Sequence, residues 1–260
     1  MKLEDTVDCK TMIFMPEKQH ILEDACPDGA LTREWIESHT IHLHRTAGGT
    51  RPDLRVVEWN GKRIAVKDFR NSSPAFREIV GRILVRREHG ALMKLVDVQG
   101  VPNLIGRIDA YALAMEHIPH HETASLVINA LDNKFYEQLK IAVHQIHERG
   151  VAHCDLRTFG NVLAGEDGMP YIVDFAACVY KGKGINPISY WLFRQFVSAD
   201  NNAVLRVKRR FSPALLTEAE QLELAKPLPF ERPAKAVGLF IRGVVKRIAA
   251  RSSARRNARV

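Results

Sequence analysis

His153-Cys154-Asp155-Leu156-Arg157-Thr158-Phe159-Gly160-Asn161-Val162-Leu163, followed by Ile172-Val173-Asp174-Phe175-Ala176, is the stretch whose reading decides the fold. Just before it, Phe135, Leu139, Ala142, Val143 and Ile146 recur on one face of a helix read over roughly 132–149. Gly150 stands where that helix wants a left-handed cap. Inside the stretch, Val162-Leu163 and Tyr171-Ile172-Val173 read as two short strands around the turn Glu166-Asp167-Gly168. A helix therefore feeds a loop carrying Asp155, a strand pair follows, and Asp174 stands at a strand end. Phosphoryl transfer needs such residues, because it leaves the protein little covalent work beyond positioning and charge neutralisation. One carboxylate must orient the attacking hydroxyl and take its proton. A second must hold a divalent cation that prefers oxygen ligands, and an amide oxygen can complete that shell.

Working toward the N-terminus, Arg55-Val56-Val57-Glu58 and Arg63-Ile64-Ala65-Val66-Lys67-Asp68-Phe69 flank Asn60-Gly61, a strong hairpin signal. The second strand of that hairpin ends near Lys67. Pro74 can open a helix that runs to Val96, with Ile83, Leu84, Leu92, Leu95 and Val96 as its apolar positions. Gly100 and Pro102 end it. Tyr111 to Met115 is a further β-prone run, followed by Glu116-His117-Ile118-Pro119. Beyond about 187 the pattern is helical with loops, and no repeat of fixed period is present.

In this order the motifs resemble the protein-kinase-like superfamily, over roughly residues 44–180. The resemblance implies an α+β, two-lobed protein-kinase-like fold with ATP bound between the lobes. It implies Asp155 as base, Asn161 and Asp174 as Mg²⁺ ligands, and His153 as a brace for the loop. Ile64-Ala65-Val66-Lys67 is similar to the strand whose lysine pairs with the α- and β-phosphates, and that lysine takes a glutamate partner from the next helix. Glu88 shares a face with Leu84, Leu92 and Leu95 and points inward, whereas Glu78 is in phase with Arg82 and Val85 on a more mixed face. Glu88 is therefore the expected partner. Met115, Glu116 and Ile118 resemble the hinge, where the Glu116 C=O and Ile118 N–H would meet adenine.

Five departures accompany the resemblance. Ala47-Gly48-Gly49-Thr50-Arg51-Pro52 replaces the expected glycine-rich loop, and Gly48 and Gly49 are its candidates for close approach to phosphate. The interval from Asp155 to Asn161 is one residue longer than usual. Asp-Phe-Ala replaces Asp-Phe-Gly, and no Ala-Pro-Glu follows it. The 86 residues after Asp174 imply a reduced helical C-lobe. These features resemble a trimmed subgroup, the bacterial RIO-like kinases and the lipopolysaccharide core kinases acting on heptose or Kdo. Arg86-Arg87-Glu88-His89, Val101-Pro102 and the basic run from Val204 to Arg210 are similar to that subgroup as well.

At 260 residues and 46% hydrophobic, the chain can bury a sizeable core. The expected division is an N-terminal extension over 1–40, an N-lobe over 41–118, a C-lobe over 119–231 and a basic amphipathic tail over 232–260. Nine of the 38 basic residues fall in 232–260, which carries no acidic residue, so 29 basic residues face 30 acidic ones elsewhere. Such asymmetry directs the tail to an anionic surface. Val237, Phe240, Ile241, Val244 and Ile248 add an apolar stripe, which favours an anionic membrane over nucleic acid; a helix packed on the lobe is the alternative. No uninterrupted apolar run reaches membrane-spanning length, and Glu4, Asp5 and Asp8 do not suit a secretory signal. The four cysteines lack metal-binding spacing, and Cys154 beside the expected base is read as non-catalytic. His117, His120 and His121 are read as a solvated loop rather than a metal site, and His42 and His44 as bystanders on one strand face. The expected function is phosphoryl transfer from ATP to a sugar hydroxyl of a glycolipid, at the cytoplasmic face of the inner membrane. A RIO-like protein serine/threonine kinase is the second reading and a pseudokinase scaffold the third.

Overall fold

Two-residue periodicity builds the first sheet. The computed structural model describes residues 31–59, 61–121, 131–182 and 187–226. Within it, β1 (Thr40–Arg45), β2 (Asp53–Trp59), β3 (Lys62–Asp68), β4 (Leu104–Arg107) and β5 (Ala112–Glu116) form an antiparallel sheet of order β1-β2-β3-β5-β4. Trp59 pairs with Lys62, which leaves the two-residue turn that the Asn-Gly pair predicts, although Asn60 lies outside the described residues. Val57, Trp59, Ile64, Val66 and Ala114 pack on the outer face with Ile36 of the short helix α1 (Arg33–Ser38). Ala65, Leu113 and Met115 face the other way, into the main core. The Arg33 guanidinium pins α1 to the sheet, donating to Asp68 at 2.5 Å and to Asp109 at 2.7 Å.

The next helical stretch, α2, is α over Pro74–Phe76, π over Arg77–Gly81 and α again over Arg82–Lys94. Its buried positions are Phe76, Gly81, Val85, Glu88, Ala91 and Leu92. The wide step from Phe76 to Gly81 is the π turn, and the later steps are those of an ordinary helix. This corrects the sequence reading: Ile83 is 52% exposed, and Val85 takes the inward place. The reason is close packing at Gly81, where a Cβ would stand 3.1 Å from Phe69 Cβ, so the helix approaches β3 through its backbone. After α2 the chain crosses at Gly100, with φ +82 and room for no side chain, since a Cβ would lie 2.7 Å from the Pro170 carbonyl oxygen. Gly100 C=O accepts from Ile172 N–H at 2.7 Å, which ties this connection to the strand leading to Asp174.

The second half is built on α3 (Asn133–Glu148), whose N-terminus is capped by Asp132, accepting from Phe135 N–H at 2.9 Å. Phe135, Leu139, Ala142, Val143 and Ile146 are all buried on α3, as their spacing predicts, and Tyr136 joins them. Short strands follow: β6 (His120–His121) pairs β8 (Val162–Gly165), β8 pairs β9 (Pro170–Ile172), and β7 (Val151–Ala152) pairs β10 (Val179–Tyr180). The long helix α4 (Pro187–Phe211) packs across α3 and β7, and α5 (Glu218–Ala225) closes the described chain behind a capping box of Thr217 and Glu220. Glu220 also accepts from Lys140 and Lys208, each at 2.8 Å, and so joins α5 to α3 and α4. The amphipathic stripe read over 237–248 lies outside the described residues. Among the described residues no helix is long and apolar enough to cross a membrane.

Candidate active site

Lys67 comes from β3, Glu88 from α2 and Asp174 from the turn after β9, and the fold brings all three together. The Lys67 ammonium donates to Glu88 Oε2 and to Asp174 Oδ1, each at 2.7 Å. Glu78, the alternative on the same helix, is exposed and accepts instead from Arg77 at 3.1 Å and from the Tyr111 hydroxyl at 2.8 Å. Burial works against the Lys67 ammonium, but Glu88 and Asp174 outweigh it, and its pKa stands above the usual lysine value. Lys67 in turn holds the Asp174 carboxyl below the usual range. Glu88 moves the other way, because its burial outweighs the same lysine and Asp174 adds a like charge. One cation is shared by two carboxylates, and the Asp174 side chain is 45% exposed against 1% for Glu88. Asp174 is thus the carboxylate with free oxygen lone pairs toward solvent.

A second group of side chains surrounds Asp155. Its Oδ1 accepts from the Thr158 hydroxyl at 2.9 Å and its Oδ2 from Asn161 Nδ2 at 3.2 Å. Asn161 Nδ2 also donates to the Asp155 carbonyl at 3.0 Å, which leaves the amide oxygen of Asn161 for another partner. The extra residue of this loop is absorbed by two successive turns, Thr158 N–H to Asp155 C=O and Asn161 N–H to Thr158 C=O. His153 is fully buried, with its ring edge-on to Phe175 at 4.8 Å. Its Nε2 lies 2.9 Å from the Val173 carbonyl, which can only accept, so Nε2 carries the proton. Nδ1 is then free to accept from Asp155 N–H at 3.3 Å. His153 therefore joins the loop of Asp155 to the residue preceding Asp174.

Two backbone sites in this region are left-handed without being glycine, Cys154 at φ +70 and Asp174 at φ +67. Cys154 is held there by Asp200, on α4. The Asp200 carboxylate accepts from His153 N–H at 2.7 Å, from Cys154 N–H at 2.9 Å and from His147 Nε2 at 3.1 Å. The sequence reading missed Asp200, though a signal was present: an acid in the middle of a helix whose neighbours at three and four positions, Phe196, Val197, Ala203 and Val204, include no cation. Replacing Asp200 by Asn leaves one acceptor for two backbone donors. Stability should fall by about 2 kcal/mol, the cost of stranding a buried donor beside a lost charge. Chemical denaturation checks this, and a loss below roughly 0.5 kcal/mol would show that packing alone holds the loop. Burial, with Asp200 nearby, pushes the Cys154 thiol far above its usual value, which disfavours the thiolate that a nucleophile requires.

Asp174 leads into the short turn Phe175–Ala177, where Ala176 needs no positive φ, and this explains why alanine stands there. The same segment anchors α2. The Arg87 guanidinium donates to Cys178 C=O, and the Tyr180 hydroxyl donates to Arg87 C=O at 2.6 Å. At the end of β5, Met115 and Ile118 are buried. Glu116 N–H donates to Asn103 C=O at 2.8 Å and His117 N–H to Arg63 C=O at 3.2 Å, while among the described residues Ile118 N–H finds no acceptor. Burial and the nearby His44 and His120 lower His117 to about 4, so its ring is neutral. Gly48 and Gly49 form part of an exposed turn between β1 and β2. A cavity of about 370 Å³ lies on the outer side of the sheet beside Glu116 and His117, lined by Trp59, Ile64 and Ile105, and contains none of Lys67, Asp155 or Asp174.

A family model described as RIO domain matches residues 57–198. Among solved structures, the Rio2 kinase from Chaetomium thermophilum is similar with a TM-score of 0.51 at 17% identity, over 76% of this chain and 63% of that one. The chain therefore spans less than two thirds of that protein. The Rio2 kinase-ADP/Mg²⁺-phosphoaspartate complex from the same organism is similar with a TM-score of 0.50 at 16% identity, over 84% of this chain and 72% of that one. At these identities the likeness is one of fold, and it is the α+β kinase-like fold that the motifs imply. No curated protein matches in sequence.

Proposed function

Because the chain belongs to the RIO domain family, we propose that it is an ATP-dependent phosphotransferase whose acceptor is a serine or threonine hydroxyl of a protein. The observation that carries this reading is the buried Lys67, bonded at 2.7 Å to both Glu88 and Asp174, together with the oriented pair Asp155 and Asn161. Support for a protein acceptor, rather than the glycolipid sugar expected from the sequence, comes from the family match and from the like fold of the Rio2 kinase in its two structures.

Each residue has a role in this reading. Ile118 N–H and Glu116 C=O take the edge of adenine, with Ala65 and Met115 on the face of the sheet toward it. Lys67 holds the α- and β-phosphates, and Glu88 keeps its ammonium aimed. The donor set fits Mg²⁺: Asp174 offers an exposed carboxylate and Asn161 an amide oxygen, both hard donors. When bound, the ion offsets phosphate charge as the γ-phosphoryl group leaves. Asp155, held by Thr158 and Asn161, accepts the proton of the attacking hydroxyl, and His153 keeps the Asp155 and Asp174 segments in register.

The test supplies γ-labelled ATP and Mg²⁺ to the full chain with two acceptors side by side, a dephosphorylated protein mixture and a core glycolipid. Label on protein serine or threonine is the expected result. Label confined to the glycolipid would move the acceptor to a sugar hydroxyl. Nucleotide binding without transfer to either would contradict the enzyme reading in favour of a scaffold.

A further inference from the structure

The segment in place of a glycine-rich phosphate loop is a tight hairpin. Gly48 and Arg51 bond one another, Gly48 N–H to Arg51 C=O at 3.2 Å and Arg51 N–H to Gly48 C=O at 2.9 Å, so Gly49 and Thr50 form a two-residue tip. Gly49 is left-handed at φ +57, as the tip requires, and a side chain at Gly48 would meet nothing within 4 Å. The tip is exposed, and among the described residues neither Gly49 N–H nor Thr50 N–H has an acceptor.

The chain just after β3 grips this hairpin. Ser73 N–H donates to Gly49 C=O and the Ser72 hydroxyl to Arg51 C=O, each at 2.8 Å. Asn71 Nδ2 donates to Asp53 Oδ2 at 2.7 Å, and Asp53 Oδ1 accepts from Ala47 N–H at 2.5 Å. Asp53 is 2% exposed and its nearest cation, Arg55, stands 3.4 Å away. A carboxylate so buried is costly unless its hydrogen bonds are made, and those of Asp53 run to the root of the hairpin and to Asn71. Ser73 Oγ, at the same junction, is buried and without a partner among the described residues. Residues 71–73 lead straight into α2, so the hairpin and the helix carrying Glu88 are tied together.

We propose that Asp53 is the positioning residue of the phosphate subsite: with Asn71 and Ser72 it fixes the hairpin so that the Gly49 and Thr50 N–H groups meet the phosphates of the nucleotide. A short tip offers few donors, and holding them in place before binding spares the entropy that a long mobile loop would lose. The inference rests on the phosphotransferase reading above, and its test separates the two.

The full chain is compared with Asp53→Ala, Asp53→Asn and Ser72→Ala. The KM for Mg·ATP should rise about tenfold in Asp53→Ala and about threefold in Ser72→Ala, the scale of one charged and one neutral hydrogen bond, with kcat within about twofold. Asp53→Asn keeps one acceptor for Ala47 and should fall between wild type and Asp53→Ala. The brace is also read without nucleotide, by hydrogen exchange: Ala47 N–H should be slow in the wild type and fast in Asp53→Ala. A lowered melting temperature with KM unchanged would make Asp53 merely structural and overturn the proposal. Should Asp53→Ala fail to fold, Ser72→Ala carries the same decision. Fast exchange of Ala47 in the wild type would remove the brace itself. Slow exchange in a wild type that binds no Mg·ATP would instead overturn the phosphotransferase reading, and the phosphate role with it.

Discussion

Asp155→Asn should lower phosphoryl transfer by about 10²-fold or more while leaving Mg·ATP affinity and thermal stability close to wild type, the signature of a lost general base. The substitution is nearly isosteric. The Thr158 hydroxyl, at 2.9 Å from Asp155 Oδ1, keeps an acceptor, and the backbone bonds from Thr158 N–H and to His153 Nδ1 do not involve the carboxylate. What is lost is an anion able to take the proton of the incoming hydroxyl. Initial rates with the wild type and variant at saturating ATP read the effect directly. A rate within tenfold of wild type would remove the base assignment, and a collapse of ATP affinity would place Asp155 in binding rather than in proton transfer.

Asp174→Asn should have an effect at least as large, on the order of 10³-fold in turnover, with the Mg²⁺ dependence of the remaining rate flattened. Burial decides which member of the charged trio to change. Glu88 is 1% exposed, and removing its partner Lys67 would strand a buried charge at a cost of about 3–5 kcal/mol, so a loss of activity there would be confounded with unfolding. Asp174 has its side chain 45% exposed, and Lys67 keeps Glu88 when Asp174 is neutralised. Its carboxyl is held below the usual range by Lys67, so in the wild type it is anionic at any pH suited to the assay. Rates measured across a Mg²⁺ titration, beside a circular dichroism melt, separate the metal role from a folding defect. A variant with wild-type Mg²⁺ dependence would place the ion elsewhere.

Much of the site was legible because it is written in local patterns. The hairpin bearing Lys67 is set by an Asn-Gly turn, the α3 face by helical spacing, and Asp155 and Asp174 by their positions after a helix and at a strand end. The sequence places Glu88 on a face with Leu84, Leu92 and Leu95 and Val85 on the face of Glu78. In the structure Glu88 meets Lys67 and lies in phase with Val85, Ala91 and Leu92, so Val85 belongs to the Glu88 face and Ile83 does not. The π turn itself left no mark in the hydrophobic pattern, since its buried position is Gly81, which has no side chain to count. The partners of Asp200 and Asp53 were not legible for a different reason, although the lack of a cation at helical spacing marks Asp200 itself as unusual. Asp200 joins backbone N–H groups more than forty residues away, and Asp53 joins the Ala47 N–H to the Asn71 side chain across the hairpin; nothing local in the sequence names those partners. The loop from Asp155 to Asn161 shows a third case, where an added residue was absorbed by two tight turns without moving Asn161 off Asp155.

Isothermal titration of the wild-type chain with ATP, in Mg²⁺ and then in EDTA, tests the central claim most directly. The site formed by Lys67, Glu88, Asp174, Asn161 and Asp155 predicts saturable binding of one ATP per chain in Mg²⁺ and binding weakened at least tenfold in EDTA, because the ion offsets the phosphate charge beside Asp174. No binding in Mg²⁺, or equal affinity in Mg²⁺ and EDTA, would contradict it.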